Sequence, residues 1–178
     1  ALHAGDEIKI DEKVRVEILH PPKNYELRIT NYDFKSENQK FQRGHDNNLS
    51  IVMKITYGNF SILFTGDIEK EAERFLISQI SEARSQKPDI RSNVLKATVL
   101  KVMHHGSSSS SSEEFIKEVS PEAAVFSVGY NNPFRHPNEK VLERYIDAGA
   151  KIYRTDKDGL IEIESDGRGY TIKTYEPR

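Results

Sequence analysis

A mixed sheet with helices on one face, an α/β fold, is what three observations predict for this chain of 178 residues. Apolar and polar residues alternate in short stretches early in the chain, in the manner of half-buried strands. Two short apolar runs, at 98–103 and 123–128, are rich in the β-branched and aliphatic residues of buried strands. Between and after them lie stretches with apolar residues at helical spacing. Strand, helix, strand, helix, then three more strands, with no internal repeat, give a two-layer arrangement.

Taken in order, 7–10 and 14–19 read as two short strands, and His20-Pro21-Pro22 ends the second. That setting makes His20 a structural residue. Residues 23–47 are polar and charged and lack apolar periodicity, so they are expected to form a long flexible loop, with His45 near its end and within reach of a site. The clearest hairpin follows: strands at 48–57 and 60–65, joined through Gly58-Asn59, which supply the positive φ angles of a tight turn. Its register points Asp67 out of the strand end.

A helix is predicted over 68–80, with Ile68, Ala72, Phe75, Leu76 and Ile80 on one face and Glu69, Lys70, Glu71, Glu73 and Arg74 on a solvated one. Pro88 and Arg91-Ser92-Asn93 mark 81–97 as a connection. After the strand at 98–103 comes His104-His105-Gly106 and then six serines, Ser107 to Ser112. Low complexity suggests flexibility for that run, but Ser112 before Glu113-Glu114 has the form of a helix N-cap. A short helix through Val119, a strand at 123–128, a helix at 138–148 with Val141, Leu142 and Tyr145 inward and Gly149 closing it, and strands at 151–154, 160–164 and 170–174 complete the chain.

Composition narrows the function classes. A chain of this length with 36% hydrophobic residues can bury a core, and one domain or a large piece of one is expected. A formal net charge of −2 gives no support for strong electrostatic capture of nucleic acid. With no cysteine there is no disulfide, thiolate catalysis or cysteine zinc site. The longest apolar runs fall far short of the ~20 residues of a membrane helix, and the first residues carry no signal-peptide pattern.

Three strand ends carry chemistry. Phe64-Thr65-Gly66-Asp67, the pair His104-His105 and His136-Pro137 each deliver an Asp or His in a loop-like setting. Aspartate oxygen and neutral imidazole nitrogen are the usual non-sulfur ligands of catalytic zinc or manganese, and strand ends hold such ligands rigidly. This reads as half of a metal site. The plainer alternatives stay open: Asp67 can be the N-cap of the helix after it, and one of the adjacent histidines can face the core while the other is idle.

Five signatures, in order, carry a resemblance. Asn47-Asn48-Leu49-Ser50, residues 60–67, residues 100–107, Ser127-Val128-Gly129 through His136-Pro137, and Tyr153-Arg154-Thr155-Asp156 with Asp158-Gly159 resemble the metallo-β-lactamase-fold domain of ComEC-type DNA-uptake proteins across most of residues 5–165. That family carries a His-x-Asp-x-Asp-His type cluster on a loop in the first half of the fold, and no such cluster occurs here. The resemblance therefore implies a single partial domain spanning residues 1–178: the C-terminal half of an αββα sandwich.

The resemblance also implies roles. Asp67 would bridge two divalent metal ions, zinc or manganese, in the complete domain, with His105 and His136 as further ligands. His104 would act on substrate or its leaving oxygen, and Ser107 and Asn132 would bind substrate. Implied partners are DNA, the absent N-terminal half, a membrane channel domain of the full protein, and a second copy through an exposed sheet edge or face. Implied placement is extracytoplasmic, as a domain of a membrane protein or as a secreted one. Metal binding and hydrolysis by these residues alone are expected to be weak. Two other readings compete: a phosphoesterase of the same fold with a different substrate, and a non-catalytic binding module.

Overall fold

The computed structural model describes residues 1–23, 46–86 and 94–176. The expected loop at 23–47, with His45, lies outside these residues except at its ends. Seven strands form one sheet in sequence order: β1 Glu7–Lys9, β2 Val14–His20, β3 Val52–Tyr57, β4 Phe60–Phe64, β5 Val99–Lys101, β6 Ala123–Phe126 and β7 Lys151–Arg154. Neighbours from β1 to β4 are antiparallel, and those from β4 to β7 parallel. The sheet is therefore mixed, with the change of direction at β4.

Helices α1 Lys70–Gln86, α2 Glu113–Val119 and α3 Glu139–Asp147 cover one face. Side chains alternate across the sheet, so Leu63, Leu100, Ala124 and Phe126 point into the core beneath these helices with Ile68, Leu76, Phe115 and Tyr145. The intervening residues Ile62, Val99, Ala123 and Val125 face the other way. There a second, two-stranded sheet of β8 Leu160–Ser165 and β9 Tyr170–Tyr175 packs on them through Ile161, Ile163, Tyr170 and Ile172. The expected mixed sheet with helices on one face is what the chain forms, and a hairpin covers part of the other face. The single-turn helix α4, Thr155–Asp158, connects β7 to that hairpin.

Three local expectations change. The helix expected at 68–80 runs from Lys70 to Gln86; the hydroxyls of Ser81 and Ser85 bond back to the carbonyls of Ile77 and Ser81, which satisfies them inside the helix. Glu73, expected on a solvated face, is fully buried. The serine run is packed, with Ser110 and Ser111 wholly inside and Ser112 accepting from the Phe115 N–H as the cap of α2. No helix among the described residues is long and apolar enough to cross a membrane.

Candidate functional site

Parallel strands β4, β5, β6 and β7 all point their C-terminal ends the same way, which is where open α/β sheets gather ligand-binding loops. Asp67 follows β4, His104 and His105 follow β5, and His136 lies in the loop after β6. The Thr65 hydroxyl donates to the Lys101 carbonyl at 2.8 Å, and the His104 N–H donates to the Gly66 carbonyl at 3.2 Å, so the first two loops are stitched together. Asn138 N–H donates to the Gly106 carbonyl at 2.9 Å and joins the third.

Glycine is required at two of these junctions. Gly66 has φ +55°, and a Cβ there would stand 2.6 Å from the Ser50 Cβ; Gly106 has φ +80°, and a Cβ would meet Pro137 at 2.7 Å and the Phe126 ring at 2.8 Å. Both close approaches bring a loop bearing a candidate residue against another segment.

Asp67 is not the helix cap. It stands three positions ahead of Lys70, where α1 begins, and its own N–H donates to the Ser50 hydroxyl at 3.1 Å. Asn48, from before β3, takes the capping position in space: its Oδ1 accepts the Glu69 N–H at 2.8 Å. The 47–50 segment therefore shapes the Asp67 loop. The buried His20 in turn holds Asn48, with its Nε2 2.8 Å from the Asn48 carbonyl oxygen.

Each of the two adjacent histidines meets a carboxylate. His105 Nε2 is 3.6 Å from Asp67 Oδ1, and its Nδ1 lies 2.6 Å from the Ser127 carbonyl. A carbonyl only accepts, so Nδ1 carries a proton, and Nε2 is the ring nitrogen that faces Asp67. The carbonyl is itself fixed, since Thr155 Oγ1 donates to the Val128 carbonyl at 2.7 Å and accepts the Val128 N–H at 2.8 Å. His104 Nδ1 is 3.2 Å from Glu69 Oε1. Both histidines occupy the left-handed region, with φ 45° and 56°, which is uncommon for residues with a Cβ.

His136 lies beside them, its ring centroid 5.9 Å from that of His104 and stacked on Phe134 at an interplanar angle of 17°. Burial, and then the neighbouring His104 and His105, hold its imidazole below the ordinary value. Asn132 builds this loop: its side chain donates to the His136 carbonyl at 2.8 Å and accepts the His136 N–H at 2.9 Å. Ser107 is nearly buried, with its hydroxyl 3.0 Å from that of Ser109. The Lys101 ammonium stands 3.9 Å from Asp67 Oδ1 and is held below its usual value by burial.

The Asp67–His105 pair fits one edge of a metal site. Two ligands bound at ~2.1 Å across a tetrahedral angle lie roughly 3.4 Å apart, close to the 3.6 Å observed. A ring nitrogen fixed by a backbone carbonyl is also the usual support of a ligating histidine. Among the described residues, no group of three His, Cys, Asp or Glu stands close enough together to hold an ion. Sequence reasoning missed Glu69, Lys101 and Thr155 as parts of this region. Lys101 and Thr155 sat inside noted signatures, whereas Glu69 is a partner made by folding.

No family model matches the chain. It is 39% identical over 131 residues to ComE operon protein 3 of Bacillus subtilis, an alignment covering 74% of this chain and 15% of that protein. It is 37% identical over 124 residues to competence protein ComA of Neisseria gonorrhoeae, covering 70% of this chain and 16% of the relative. Against recombination protein 2 of Haemophilus influenzae it is 30% identical over 118 residues, or 66% of the chain and 13% of the relative. In each case the chain spans a small part of its relative's length. The chain is a homologue of a segment of the ComEC-type competence and recombination proteins.

Proposed function

We propose that the chain is the C-terminal half of a metallo-β-lactamase-like, metal-dependent hydrolase domain that cuts DNA phosphodiesters during DNA uptake. The observation that carries this reading is the Asp67–His105 pair, in which a carboxylate and the Nε2 of a backbone-fixed imidazole face each other across 3.6 Å at the strand ends. The competence names of the relatives support DNA as the substrate. In this reading Asp67, His105 and His136 would hold zinc or manganese, and the remaining ligands would come from a first-half cluster of the kind these 178 residues lack.

Two ions bound there would supply a water of lowered pKa and positive charge for the phosphodiester oxygens. The chain's own residues do the rest. Asp67 and His105 are held in register by Ser50 and Ser127. His104 moves a proton at its ring nitrogen to or from the reacting oxygens. Ser107 and Asn132 shape the loops beside the histidines, where substrate would lie.

Calorimetry and metal analysis with manganese or zinc test the reading on two forms, the 178-residue chain and that chain joined to a first half bearing a clustered His and Asp motif. The short chain should bind weakly and leave plasmid DNA intact. The extended form should bind tightly and cut plasmid DNA, and Asp67→Ala should abolish both properties. Chelator-sensitive cutting by the short chain that needs Asp67 would sink the half-domain idea. Cleavage of simple phosphodiesters but not DNA by the extended form would replace the substrate.

A further inference from the structure

Two aromatic rings stand out from the surface beside the histidines, and neither has a part in holding metal or moving a proton. Tyr130 is 80% exposed and Phe134 76%, more than any other large apolar residue among those described. Both belong to the loop that carries His136. A single exposed apolar residue is ordinary. Two on one loop, at the rim of a candidate site, are the kind of surface that meets a ligand.

The loop holds them in place. Asn132 donates to the Gly129 carbonyl through its N–H at 3.3 Å and its Nδ2 at 3.2 Å, and the Arg135 N–H donates to the Asn132 carbonyl at 3.2 Å. With the Asn132 side chain also bonded to both backbone groups of His136, the turn is tied at each end. Phe134 is fixed further by its stack on His136, with centroids 5.9 Å apart, inside the range of offset aromatic pairs. One face of the ring is therefore taken by His136. The exposure of the residue leaves the other face to solvent.

We infer that Phe134, assisted by Tyr130, is a specificity-determining residue: its free face stacks an unpaired nucleobase next to the histidines, so that the site takes a single strand rather than a duplex. This rests on the proposed function for DNA as the substrate and adds the form in which DNA is taken. Stacking on an aromatic ring accepts any base, because every base has a flat face. Inside a duplex those faces are already covered by neighbouring bases. Phe134 stands one ring from His136 and, through it, two from His104, each step 5.9 Å. A base held there leaves its adjoining phosphodiester within the region of the histidines.

The charges agree with that occupant. Arg135, next to Phe134, is exposed, is the one Lys, Arg, Asp or Glu in 129–137, and pairs with no carboxylate among the described residues. Its guanidinium suits a phosphate of the stacked nucleotide. A net charge of −2 gives a duplex no excess of positive charge to lie on, so the grip must come from stacking.

The chain has no tryptophan, so Phe134→Trp sets a single reporter at the platform and keeps a flat ring there. In the 178-residue chain without metal, a short single-stranded oligonucleotide should quench its fluorescence. A strand of abasic sites with the same phosphates, and a relaxed closed circular duplex, should quench little. By anisotropy of a labelled strand, Phe134→Ala should weaken binding roughly 5- to 100-fold, the loss of one stacked base, and Tyr130→Ala should weaken it less. Salt dependence should be shallow, and Arg135→Gln should flatten it. These side chains are exposed, so the variants keep the fold.

Equal quenching by ordinary and abasic strands overturns the inference, as does an unchanged single-strand affinity in Phe134→Ala, or no quenching up to millimolar strand. A response of the reporter to anionic lipid vesicles and not to the strand would make the loop a membrane contact and overturn it as well. Shielding of the reporter from iodide once the chain is joined to a first half would make the rings an interface between halves, with the same consequence. In that joined form Phe134→Ala should raise KM for a single strand and change kcat little. Cutting with KM unaltered in Phe134→Ala would keep the hydrolase and remove the platform; strands that quench the reporter yet are never cut would remove the hydrolase and keep the platform.

Discussion

His20 shows how one buried side chain governs the site from a distance. Its ring is wholly inside, edge-on to Phe75 at 5.8 Å, with Nε2 on the Asn48 carbonyl. Burial lowers its pKa, against a smaller opposing effect of the Asn48 bond. The unfolded chain therefore takes up a proton at His20 before the folded chain does. Stability is full above the unfolded imidazole value of ~6.5 and falls as pH drops through the folded value, by about 1.4 kcal/mol for each unit between the two. Thermal melts from pH 7.5 to 5 should show a falling midpoint, and His20→Gln should flatten that slope while lowering stability at pH 7.5. A slope unaltered in His20→Gln would remove His20 as its source. The sequence could mark His20 as structural, since two prolines follow it and end the strand. It could not show the partner, because Asn48 is brought there by the fold.

At the scale of the element, α1 departs furthest from its sequence reading, and the reason is long-range polar satisfaction. A helical wheel places Glu73 with its charged neighbours, yet the residue is fully buried beside Ala72 and Leu76. Its carboxylate accepts the N–H groups of Ser111 at 2.5 Å and Ser112 at 2.9 Å, ahead of α2. Arg144 of α3 holds the same segment by donating to the Ser111 carbonyl at 2.9 Å, and the Tyr145 hydroxyl meets Ser111 Oγ at 3.2 Å. Six serines in a row read as flexible because their donors and acceptors have no visible partners in sequence; the three helices supply those of the last three, and the run itself and the histidine turn the rest. Glu73→Ala strands one buried and one part-buried N–H group and should cost about 3 kcal/mol, read as a lowered urea midpoint with little change in slope. A loss under ~0.5 kcal/mol, the size of an ordinary surface change, would return Glu73 to the solvated face. Elements with local signals were legible: the Ser112 cap, the inward Val141 and Tyr145, and the turn at Gly58-Asn59.

Across the whole molecule, the two ends of the parallel strands do different work, and two glycines separate them. At the start of β4, Gly58 packs on the turn of the second hairpin: a Cβ there would stand 2.3 Å from the Gly167 carbonyl oxygen, and Asn59 N–H donates to that oxygen at 2.7 Å. This contact seats β8 and β9 on the sheet face opposite the helices, a placement the sequence does not show, because alternation in 160–174 reveals an apolar side without what it covers. At the far end, Gly106 lets the histidine turn close on Pro137 and Phe126. Five residues of β4, about 17 Å of strand, lie between the two ends. Gly58→Ala and Gly106→Ala each combine a positive φ with a close contact, and each should destabilise the fold by about 2 kcal/mol. Their effects on the site should differ. Gly106→Ala should move the imidazole signals of His104, His105 and His136 together, since it displaces the junction of their loops. Gly58→Ala should lower the melting temperature and leave those signals in place. Equal disturbance of the imidazoles by both variants would show that the hairpin end and the histidine end are mechanically one unit, and the division of labour along the strands would be lost.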